Sequence, residues 1–291
     1  KGHAVAAIAA ESPHIAEEAL DLIHVDYEPL PAVTNVEDAM KADAPLLHEH
    51  LTTASFDDRV PQKTNIAGYQ QLKLGDVDQG FKEADIIVER EFRTKTVHQG
   101  YIEPQSATGW WTHDGRLTIW CSSQNPFGIR DNTARILGIP SSKIKLVPME
   151  IGGGFGGKLS TYLEPVAAVL SRKTGRPVTL TMSRSDVLEA TGPTAGSYTK
   201  VKIGATRDGK ITAAQGYLAF EAGAYPGSPI GGATSNMLTP YDIPNLVLDG
   251  YDVVDNKPKT SAYRAPGAPI GCYAVECVLD ELIEKLGMDP M

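Results

Sequence analysis

The residues best suited to chemistry are five glycines around one phenylalanine, at residues 151–158, which read Ile-Gly-Gly-Gly-Phe-Gly-Gly-Lys. Glycine tolerates positive φ and has no Cβ, so successive backbone N–H groups of this segment can converge on one anionic group. A phosphate, an oxyanion or a metal-oxo group would suit such a concavity. The alternative is a tight structural turn behind the apolar run at residues 144–149, because glycine clusters commonly mark turns.

The same segment matches the spacing of a phosphate loop, G-x-x-x-x-G-K, from Gly152 to Gly157 and Lys158. A phosphate loop also needs a Ser or Thr hydroxyl for Mg²⁺ directly after the lysine. Leu159 occupies that position, and Ser160 comes one residue too late. A phosphate-loop nucleotide-binding module is therefore an alternative function, and Leu159 argues against it.

Two further segments, distant from the glycine segment in the sequence, carry a family resemblance together with it. Residues 121–126 read Cys-Ser-Ser-Gln-Asn-Pro, and residues 261–269 read Ser-Ala-Tyr-Arg-Ala-Pro-Gly-Ala-Pro. In this order the three segments resemble the molybdenum-binding subunit of the xanthine dehydrogenase and aldehyde oxidase family of molybdenum hydroxylases. Residues 99–104 and 280–290 support the resemblance, which thus covers nearly the whole chain.

The resemblance implies a molybdenum–pterin cofactor, either molybdopterin itself or its cytosine dinucleotide form. It places Gln124 beside an oxo ligand of molybdenum as an N–H donor, Phe155 against the metal centre, and Arg264 on a third segment reaching that centre. These three side chains lie near the metal without binding it, because the metal is held by the pterin. The cofactor-binding residues implied are Gln124, Gly153, Gly154, Phe155, Gly156 and Arg264.

Three positions of the implied substrate pocket depart from the purine-specific members of the family. Leu159 replaces a substrate-binding glutamate, Gly232 replaces an arginine, and Pro266 replaces a stacking phenylalanine, so the resemblance argues against xanthine as the substrate. Ala265 stands where the carbon monoxide dehydrogenase branch has a copper-binding cysteine. Without a thiolate there is no soft ligand for copper, which argues against carbon monoxide oxidation.

The activity that the resemblance implies is oxidation of an aldehyde or an N-heterocyclic small molecule, with water as the oxygen source. The family's catalytic base is a glutamate near the C-terminal end of the full subunit, beyond Met291, so the catalytic residue of this chain is unknown. Glu103 and Glu164 each precede a proline and are interpreted as carboxylates that brace turns. By itself the chain is expected to be inactive, and a catalytically inactive structural fragment remains the third alternative.

Electron transfer in this family requires iron–sulfur clusters that the chain cannot bind. A two-iron cluster needs four cysteine ligands, and the chain has three cysteines, Cys121, Cys272 and Cys277. The resemblance therefore implies an iron–sulfur subunit or domain with two-iron clusters, an FAD subunit or domain, and the remaining C-terminal molybdenum-binding domain as partners. Cys272 and Cys277 are predicted to lie on one helix, and the scattered histidines predict no protein-ligated metal.

Composition limits the remaining classes of partner. With 291 residues and 42% apolar residues the chain can bury a substantial core. The net charge of −9 argues against a nucleic-acid partner. No apolar run of about 18 residues and no secretory signal can be recognised, so the sequence predicts no membrane span and a cytoplasmic location.

The elements that must position the site predict an α+β fold. Residues 1–50 are interpreted as the C-terminal part of a hammerhead-type α/β domain, with strands at residues 5–9 and 24–27. Between them, Ser12 as the cap and Pro13 in the first turn predict the start of a helix whose apolar stripe runs over residues 15–23. Residues 51–70 are predicted to be a linker, and residues 71–291 the first molybdopterin cofactor-binding domain. The second such domain is absent from the chain, which is therefore interpreted as a fragment.

Within the cofactor-binding domain, periodicity and turn residues predict further elements. The turn at Asp208 and Gly209 predicts a hairpin between two of the strands. The strands are predicted at residues 84–92, 117–121, 178–182, 198–205 and 211–218. The helices are predicted at residues 128–137, 166–172 and 279–286.

Overall fold

The computed structural model describes residues 2–51, 53 and 63–290. Backbone contacts divide the chain into two units whose segments alternate along the sequence. Unit 1 comprises Lys1–Leu30, His98–Gly192 and Ser261–Tyr263, and unit 2 comprises Pro31–Val97, Pro193–Thr260 and Arg264–Met291. Each unit is thus assembled from segments that lie far apart in the sequence.

The described part of the chain forms nine β-strands and eight α-helices, which confirms the α+β class. The strands are β1 (Ile66–Leu74), β2 (Ile86–Thr94), β3 (Ser106–Trp111), β4 (Leu117–Ser122), β5 (Ile144–Met149), β6 (Val178–Thr181), β7 (Ser197–Ala205), β8 (Ile211–Gly223) and β9 (Leu246–Val254). The helices are α1 (Pro13–Leu20), α2 (Val36–Ala39), α3 (Val77–Glu83), α4 (Pro126–Leu137), α5 (Glu164–Thr174), α6 (Arg184–Ala190), α7 (Ile230–Asn236) and α8 (Ala268–Leu286).

Unit 1 is built on a four-stranded sheet in the order β5-β4-β3-β6. β4 and β5 are parallel and are connected through α4, whereas β3 is antiparallel to both of its neighbours. α4 begins as its sequence directs, because the side-chain oxygen of Asn125 accepts a hydrogen bond from Gly128 N at 3.1 Å and Pro126 occupies the first turn. It ends at Gly138, whose φ of +66° continues the chain in the left-handed region.

α5 packs closely on the middle of this sheet. A Cβ at Gly109 of β3 would lie 2.8 Å from the backbone of Ala167, so only glycine permits this approach. The core between helix and sheet includes the fully buried Leu117, Ile119 and Ala168. The sheet therefore gives β4 and β5 a fixed edge from which the segments after Ser122 and Met149 emerge.

Unit 2 is built on a five-stranded sheet in the order β1-β9-β8-β7-β2. β8 and β9 are parallel and the other pairs are antiparallel. β7 and β8 form the predicted hairpin, and Gly209 takes a φ of +86° in its turn. α7 follows β8 and precedes β9 in the chain, so it forms the connection that parallel strands require.

The core of unit 2 lies between this sheet and α8. Side chains of β7 alternate between buried and partly exposed, and Val201 and Ile203 point inward. Val275 and Val278 of α8 are fully buried against them. α8 begins eleven residues earlier than predicted. It contains both Cys272 and Cys277, which confirms that these two cysteines share a helix, and all three cysteines are free.

Two strand predictions near the N-terminus are wrong. Ser12 and Pro13 begin α1 as predicted, but residues 5–9 and 24–27 pair with no other strand in the described part of the chain. Extended backbone becomes a strand only beside a neighbour that takes up its N–H and C=O groups. Here apolar side chains stay exposed, with Val5 at 62% and Tyr27 at 73%. The hammerhead interpretation of residues 1–50 stays a prediction.

The predicted domain boundaries likewise stay predictions. Residues 52 and 54–62 of the predicted linker lie outside the described residues, and β1 begins at Ile66. Among the described helices, none combines the length and apolar character needed to cross a membrane. No cluster of three potential metal-ligating side chains occurs in the described ranges.

Candidate functional site

The glycine segment lies in unit 1, between the end of β5 and the start of α5. Two of its glycines are required by close contact with neighbouring segments. A Cβ at Gly154 would lie 2.6 Å from Oε1 of Gln124, and a Cβ at Gly156 would lie 2.5 Å from the carbonyl oxygen of Ala262. The structure therefore brings together the three segments that the sequence singled out, as far as they belong to unit 1.

Two other glycines make room for the segment at residues 99–104. A Cβ at Gly152 would lie 2.6 Å from Cβ of Glu103, and a Cβ at Gly157 would lie 2.6 Å from the ring of Tyr101. These glycines therefore allow the segment to pack closely against residues 99–104. Such a role agrees with the interpretation of the glycines as a tight structural turn. It leaves a different part of the segment for a ligand.

The backbone around Phe155 is strained. Gly153, Phe155 and Gly156 have φ values of +95°, +52° and +103°. Positive φ is uncommon for a non-glycine residue, particularly a bulky one, and persists only where the surroundings impose it. Phe155 is also 50% exposed, so burial in a core does not explain its conformation. An exposed aromatic side chain on a strained backbone is a mark of a functional position.

The amide group of Gln124 is oriented by the glycine segment. Its Oε1 accepts hydrogen bonds from Gly156 N at 3.0 Å and Lys158 N at 3.2 Å. Two N–H donors can bind only the oxygen end of the side chain, so these contacts fix which end is which. Nε2 is left as a donor without an acceptor among the described residues, on a side chain that is exposed.

Three consecutive backbone amides are also without partners. The N–H groups of Gly153, Gly154 and Phe155 have no acceptor within the described ranges, although Gly154 is buried. Buried backbone N–H groups are almost always paired in folded proteins. Together with Nε2 of Gln124, these amides form a set of neutral hydrogen-bond donors that suits an electron-rich oxygen ligand.

A buried ion pair closes the glycine segment. Glu103 Oε2 accepts hydrogen bonds from Gly152 N at 2.6 Å and from Lys158 Nζ at 2.5 Å. Burial raises the pKa of Glu103, but the hydrogen bonds from Lys158 and Gly152 outweigh burial and hold the pKa below its ordinary value. Glu103 therefore braces the turn, as its sequence position predicts.

This ion pair removes Lys158 from any phosphate-binding role. The Lys158 side chain is 0% exposed, and its ammonium group also lies 5.1 Å from the centre of the Tyr101 ring. In a phosphate loop a helix begins at the lysine, whereas α5 begins only at Glu164. The geometry thus disfavours the nucleotide-binding alternative, in agreement with Leu159.

Glu164 and Cys121 form a second buried contact behind the site. Glu164 Oε2 accepts a hydrogen bond from Tyr162 N at 2.9 Å, so this carboxylate also braces its turn. Burial raises the pKa of Glu164. Burial, together with the neighbouring Glu164, raises the pKa of Cys121 to about 12, so the thiol is unreactive at neutral pH.

The remaining predicted residues lie in unit 2, except Leu159, which is half-buried in unit 1. Arg264 is exposed and has no ion pair with any residue that the structure describes. A Cβ at Gly232 would overlap the carbonyl oxygen of Pro266, so α7 and the turn before α8 meet backbone to backbone. Ala265 in that turn has a φ of +57°. Non-glycine residues with positive φ thus occur in two of the three segments that the resemblance assigns to the cofactor.

Sequence reasoning missed Gln99 as a supporting residue. Its Nε2 donates to Gly192 O at 2.9 Å and to Ala262 O at 2.8 Å, which fastens residues 261–263 to unit 1. The side chain is buried, at 6% exposure. Residues 99–104 were noticed because they support the family resemblance. No local sequence pattern reveals that Gln99 contacts Gly192 and Ala262, which lie far from it in the sequence.

Comparison with known proteins identifies the class to which this fold and site belong. A family model described as the molybdopterin cofactor-binding domain matches residues 58–291. This match covers more than half of the chain, and the chain therefore belongs to the molybdopterin cofactor-binding domain family. The resemblance to the molybdenum hydroxylases of the xanthine dehydrogenase and aldehyde oxidase family is confirmed.

Two curated relatives illustrate the match. The nicotinate dehydrogenase large molybdopterin subunit of Eubacterium barkeri is 33% identical over 293 residues, which cover 100% of this chain and 66% of that subunit. The xanthine dehydrogenase molybdenum-binding subunit of Escherichia coli O157:H7 is 30% identical over 295 residues, covering 100% of this chain and 37% of the relative. The chain thus spans less than two thirds of the length of either relative.

Two solved structures show the same fold. The aldehyde oxidoreductase of Desulfovibrio gigas superposes with a TM-score of 0.87 at 31% identity, covering 97% of this chain and 30% of that one. Quinoline 2-oxidoreductase of Pseudomonas putida 86 superposes with a TM-score of 0.84 at 26% identity, covering 97% of this chain and 35% of that one.

The residues of unit 1 fit a molybdenum–pterin cofactor. The site offers neutral N–H donors and an exposed aromatic ring, and no cluster of metal-ligating side chains among the described residues. A metal held by a pterin needs donors to its oxo group rather than protein ligands of its own. The unpartnered amides of Gly153 to Phe155 are the observation in this structure that such a group would satisfy.

Proposed function

We propose that the complete protein is a molybdenum hydroxylase that oxidises an aldehyde or an N-heterocycle with water as the oxygen source. The observation that carries the proposal is the orientation of Gln124, whose Oε1 is bound by two loop amides so that Nε2 remains free to donate. The chain provides part of the cofactor site, and we infer the class of reaction from its relatives.

Each cofactor-binding residue has a role that its surroundings support. Gln124 Nε2 and the amides of Gly153, Gly154 and Phe155 donate hydrogen bonds to oxygen ligands of the cofactor, and Gly156 holds Gln124 in place. Preorganised donors of this kind stabilise developing negative charge without reorganisation. When bound, the molybdenum–pterin cofactor supplies the two-electron oxidation of the substrate carbon.

Phe155 of unit 1 and Arg264 of unit 2 are the two further residues that we assign to the cofactor. Phe155 presents an exposed aromatic ring beside the free amides and excludes water from that side of the cofactor. Arg264 is exposed and free of ion pairs with the described residues, so its guanidinium is available to an anionic part of the cofactor. On the family resemblance, we assign the catalytic base to a glutamate outside this chain; Glu103 and Glu164 are both occupied in bracing turns.

The substrate class follows from the pocket residues and from the relatives. Leu159, Gly232 and Pro266, the three predicted substrate-pocket positions, carry no charge, so none of them offers an ionic contact to a purine. The names of the relatives include nicotinate, xanthine, quinoline and aldehyde, so the argument against xanthine rests on the pocket residues alone. An aldehyde or an uncharged heterocycle suits an apolar pocket better than xanthine does, and Ala265 argues against carbon monoxide.

The proposed reaction requires partners. Electrons leave to two-iron clusters and then to FAD on partner subunits or domains, because the chain has only three cysteines, fewer than a single cluster needs. The second cofactor-binding domain supplies the remaining contacts to the cofactor, and residues 1–50 complete a hammerhead-type domain.

The test is the metal and pterin content of the complete protein with its partners, purified from its native host. Near-stoichiometric molybdenum with pterin, followed by turnover of an aldehyde or quinoline and none of xanthine, is the expected result. Absence of both molybdenum and pterin would contradict the proposal. Cofactor without turnover of any aldehyde or heterocycle would favour the inactive structural alternative.

A further inference from the structure

Lys158 takes part in two separate sets of contacts, one through its side chain and one through its backbone. The side chain binds Glu103, and the backbone binds Gln124. We propose that Glu103 and Lys158 are positioning residues whose ion pair fixes the glycine segment and thereby orients the amide of Gln124. The ordering of the segment does not depend on the proposed function; only the role of the Gln124 amide as a donor to the cofactor rests on it.

The first step is that a single atom holds both ends of the segment. Glu103 Oε2 accepts from Gly152 N at 2.6 Å and from Lys158 Nζ at 2.5 Å. The start and the end of the glycine segment are therefore fastened to one carboxylate oxygen. Glycine-rich backbone has high conformational entropy, so a segment of this composition needs such a restraint to keep one shape.

The second step connects this restraint to Gln124. Gln124 N donates to Lys158 O at 3.0 Å, and Lys158 N donates to Gln124 Oε1 at 3.2 Å. Gln124 is thus bound to the backbone of Lys158 through both its main chain and its side chain. A displacement of Lys158 displaces the acceptor and the donor that set the direction of the Gln124 amide.

The third step is that Lys158 has one favourable position. Its side chain is 0% exposed, while that of Glu103 is 31% exposed. A buried ammonium group without its carboxylate is strongly unfavourable, whereas a partly exposed carboxylate can be hydrated. The ring of Tyr101, 5.1 Å away, adds a favourable contact for the cation. The pair therefore selects one arrangement of the segment.

The test compares Glu103→Gln, Lys158→Met and the double variant in the complete protein. The matched control is Glu37→Gln, which breaks the exposed ion pair of Glu37 with Arg93 in unit 2. The first measurement is amide hydrogen exchange, resolved to peptides that cover residues 150–159 and, separately, β4. It is made on protein from cells grown without molybdate, so that it does not depend on bound cofactor.

The expected result is that exchange at residues 150–159 accelerates about tenfold or more in all three variants, while β4 and the control stay unchanged. The double variant, which leaves no buried charge unpaired, keeps the melting temperature of the parent more closely than Glu103→Gln does. Unchanged exchange at residues 150–159, or equal acceleration in β4, would overturn the proposal.

A second measurement distinguishes a role of the ion pair in positioning Gln124 from a role only in stabilising the glycine segment. In cofactor-loaded protein, the double variant is expected to show an altered molybdenum electron-paramagnetic-resonance signature and a lower kcat with KM nearly unchanged. An unaltered signature and kcat despite faster exchange would also overturn the positioning role. If no preparation contains molybdenum, the proposed function fails, whereas the exchange result still decides whether the ion pair orders the segment.

Discussion

The side-chain oxygen of Gln124 accepts a hydrogen bond from the backbone N–H of Gly156 at 3.0 Å. The glycine segment thus also determines how Gln124 presents its amide. Gln124→Glu keeps an oxygen for Gly156 and Lys158 but loses the Nε2–H₂ donor. We expect kcat to fall about 10²-fold, the usual effect of losing one preorganised donor, with the unfolding free energy within ~1 kcal/mol of the parent.

Steady-state kinetics and urea unfolding of the complete protein check this expectation. Gln124→Ala is the comparison, because it removes the acceptor as well as the donor. It should lower both kcat and stability. Equal loss of stability in the two variants would contradict the assignment of Oε1 to the loop amides.

Gly156 cannot carry a side chain. Its φ is +103°, and a Cβ would lie 2.5 Å from the carbonyl oxygen of Ala262. Gly227 has nearly the same φ, +108°, but a Cβ there would meet only the flexible end of Lys259 at 3.7 Å. We expect Gly156→Ala to lower the unfolding free energy by ~3–5 kcal/mol and Gly227→Ala by ~1–2 kcal/mol, because only the first adds a clash to the strain. Urea unfolding of both variants measures the difference, and equal losses would contradict it.

Adjacent glycines of α7 should respond in opposite ways to substitution. A Cβ at Gly232 would overlap the carbonyl oxygen of Pro266, whereas a Cβ at Gly231 has only the side chain of Gln70 within 4 Å. Gly231→Ala should stabilise the protein by ~0.5–1 kcal/mol through its higher helix propensity. Gly232→Ala should destabilise it by ~1–3 kcal/mol. Thermal or urea unfolding of the two variants checks the opposite signs.

The same contact prevents a charged handle from being introduced at this position. Gly232→Arg is expected to destabilise the protein without producing turnover of xanthine. The Cβ of the arginine would displace the turn that contains Pro266. A substrate panel with purified variant protein tests this. Folded Gly232→Arg protein that oxidises xanthine would contradict the predicted steric barrier.

The carboxyl group of Asp255 should make stability depend on pH. Asp255 is 0% exposed, and neither of its oxygens has a hydrogen-bond partner among the described residues. Burial, followed by the charge of Glu221, raises its pKa to about 7, although Lys257 acts in the opposite direction. Between its ordinary pKa of 3.8 and about 7, the folded protein binds more protons than the unfolded chain. This group therefore makes stability fall as pH rises through that window.

Asp255→Asn removes this dependence, because the amide does not titrate. Relative to the parent, the variant should gain ~2–4 kcal/mol of unfolding free energy between pH 4 and pH 8. Urea unfolding at a series of pH values checks the slope. Asp242→Asn, at an exposed carboxylate of the same unit, is the control and should leave the slope unchanged. A parallel response of the two variants would contradict the assignment.

Local sequence patterns were sufficient for the parts of the site that lie within single segments. The glycines around Phe155 are set by backbone conformation over a few residues, and such features can be read directly from residue types. The cap at Asn125 is equally local but was not predicted, since the helix was predicted to begin only at Gly128. The positions of Gln124 and Arg264 came instead from family resemblance, and their roles at the cofactor stay predictions. The cytoplasmic location stays a prediction as well.

Contacts between distant segments could not be predicted. Glu103 and Lys158 form an ion pair, and no spacing rule connects them. β9 was missed because Gly250 interrupts its alternation. Gly250 is required there because a Cβ would lie 2.9 Å from Ile230 and Thr234 of α7. The early start of α8 was missed because Gly271 lowers the intrinsic helix propensity of residues 268–278. In the folded unit this loss of propensity is offset because Gly271 is buried.

The assembly of unit 1 from separated segments has a consequence for biosynthesis. The glycine segment rests on Ala262, and Gln99 binds the same residue, so unit 1 is incomplete until that residue has been made. At ribosomal rates of roughly 5–20 residues per second, the roughly 100 residues that follow Lys158 take roughly 5–20 seconds to emerge. During that interval the newly made loop lacks one of its walls. Under the proposed function, loading of the cofactor therefore waits until translation has passed this point, which makes it a late event in the synthesis of the polypeptide.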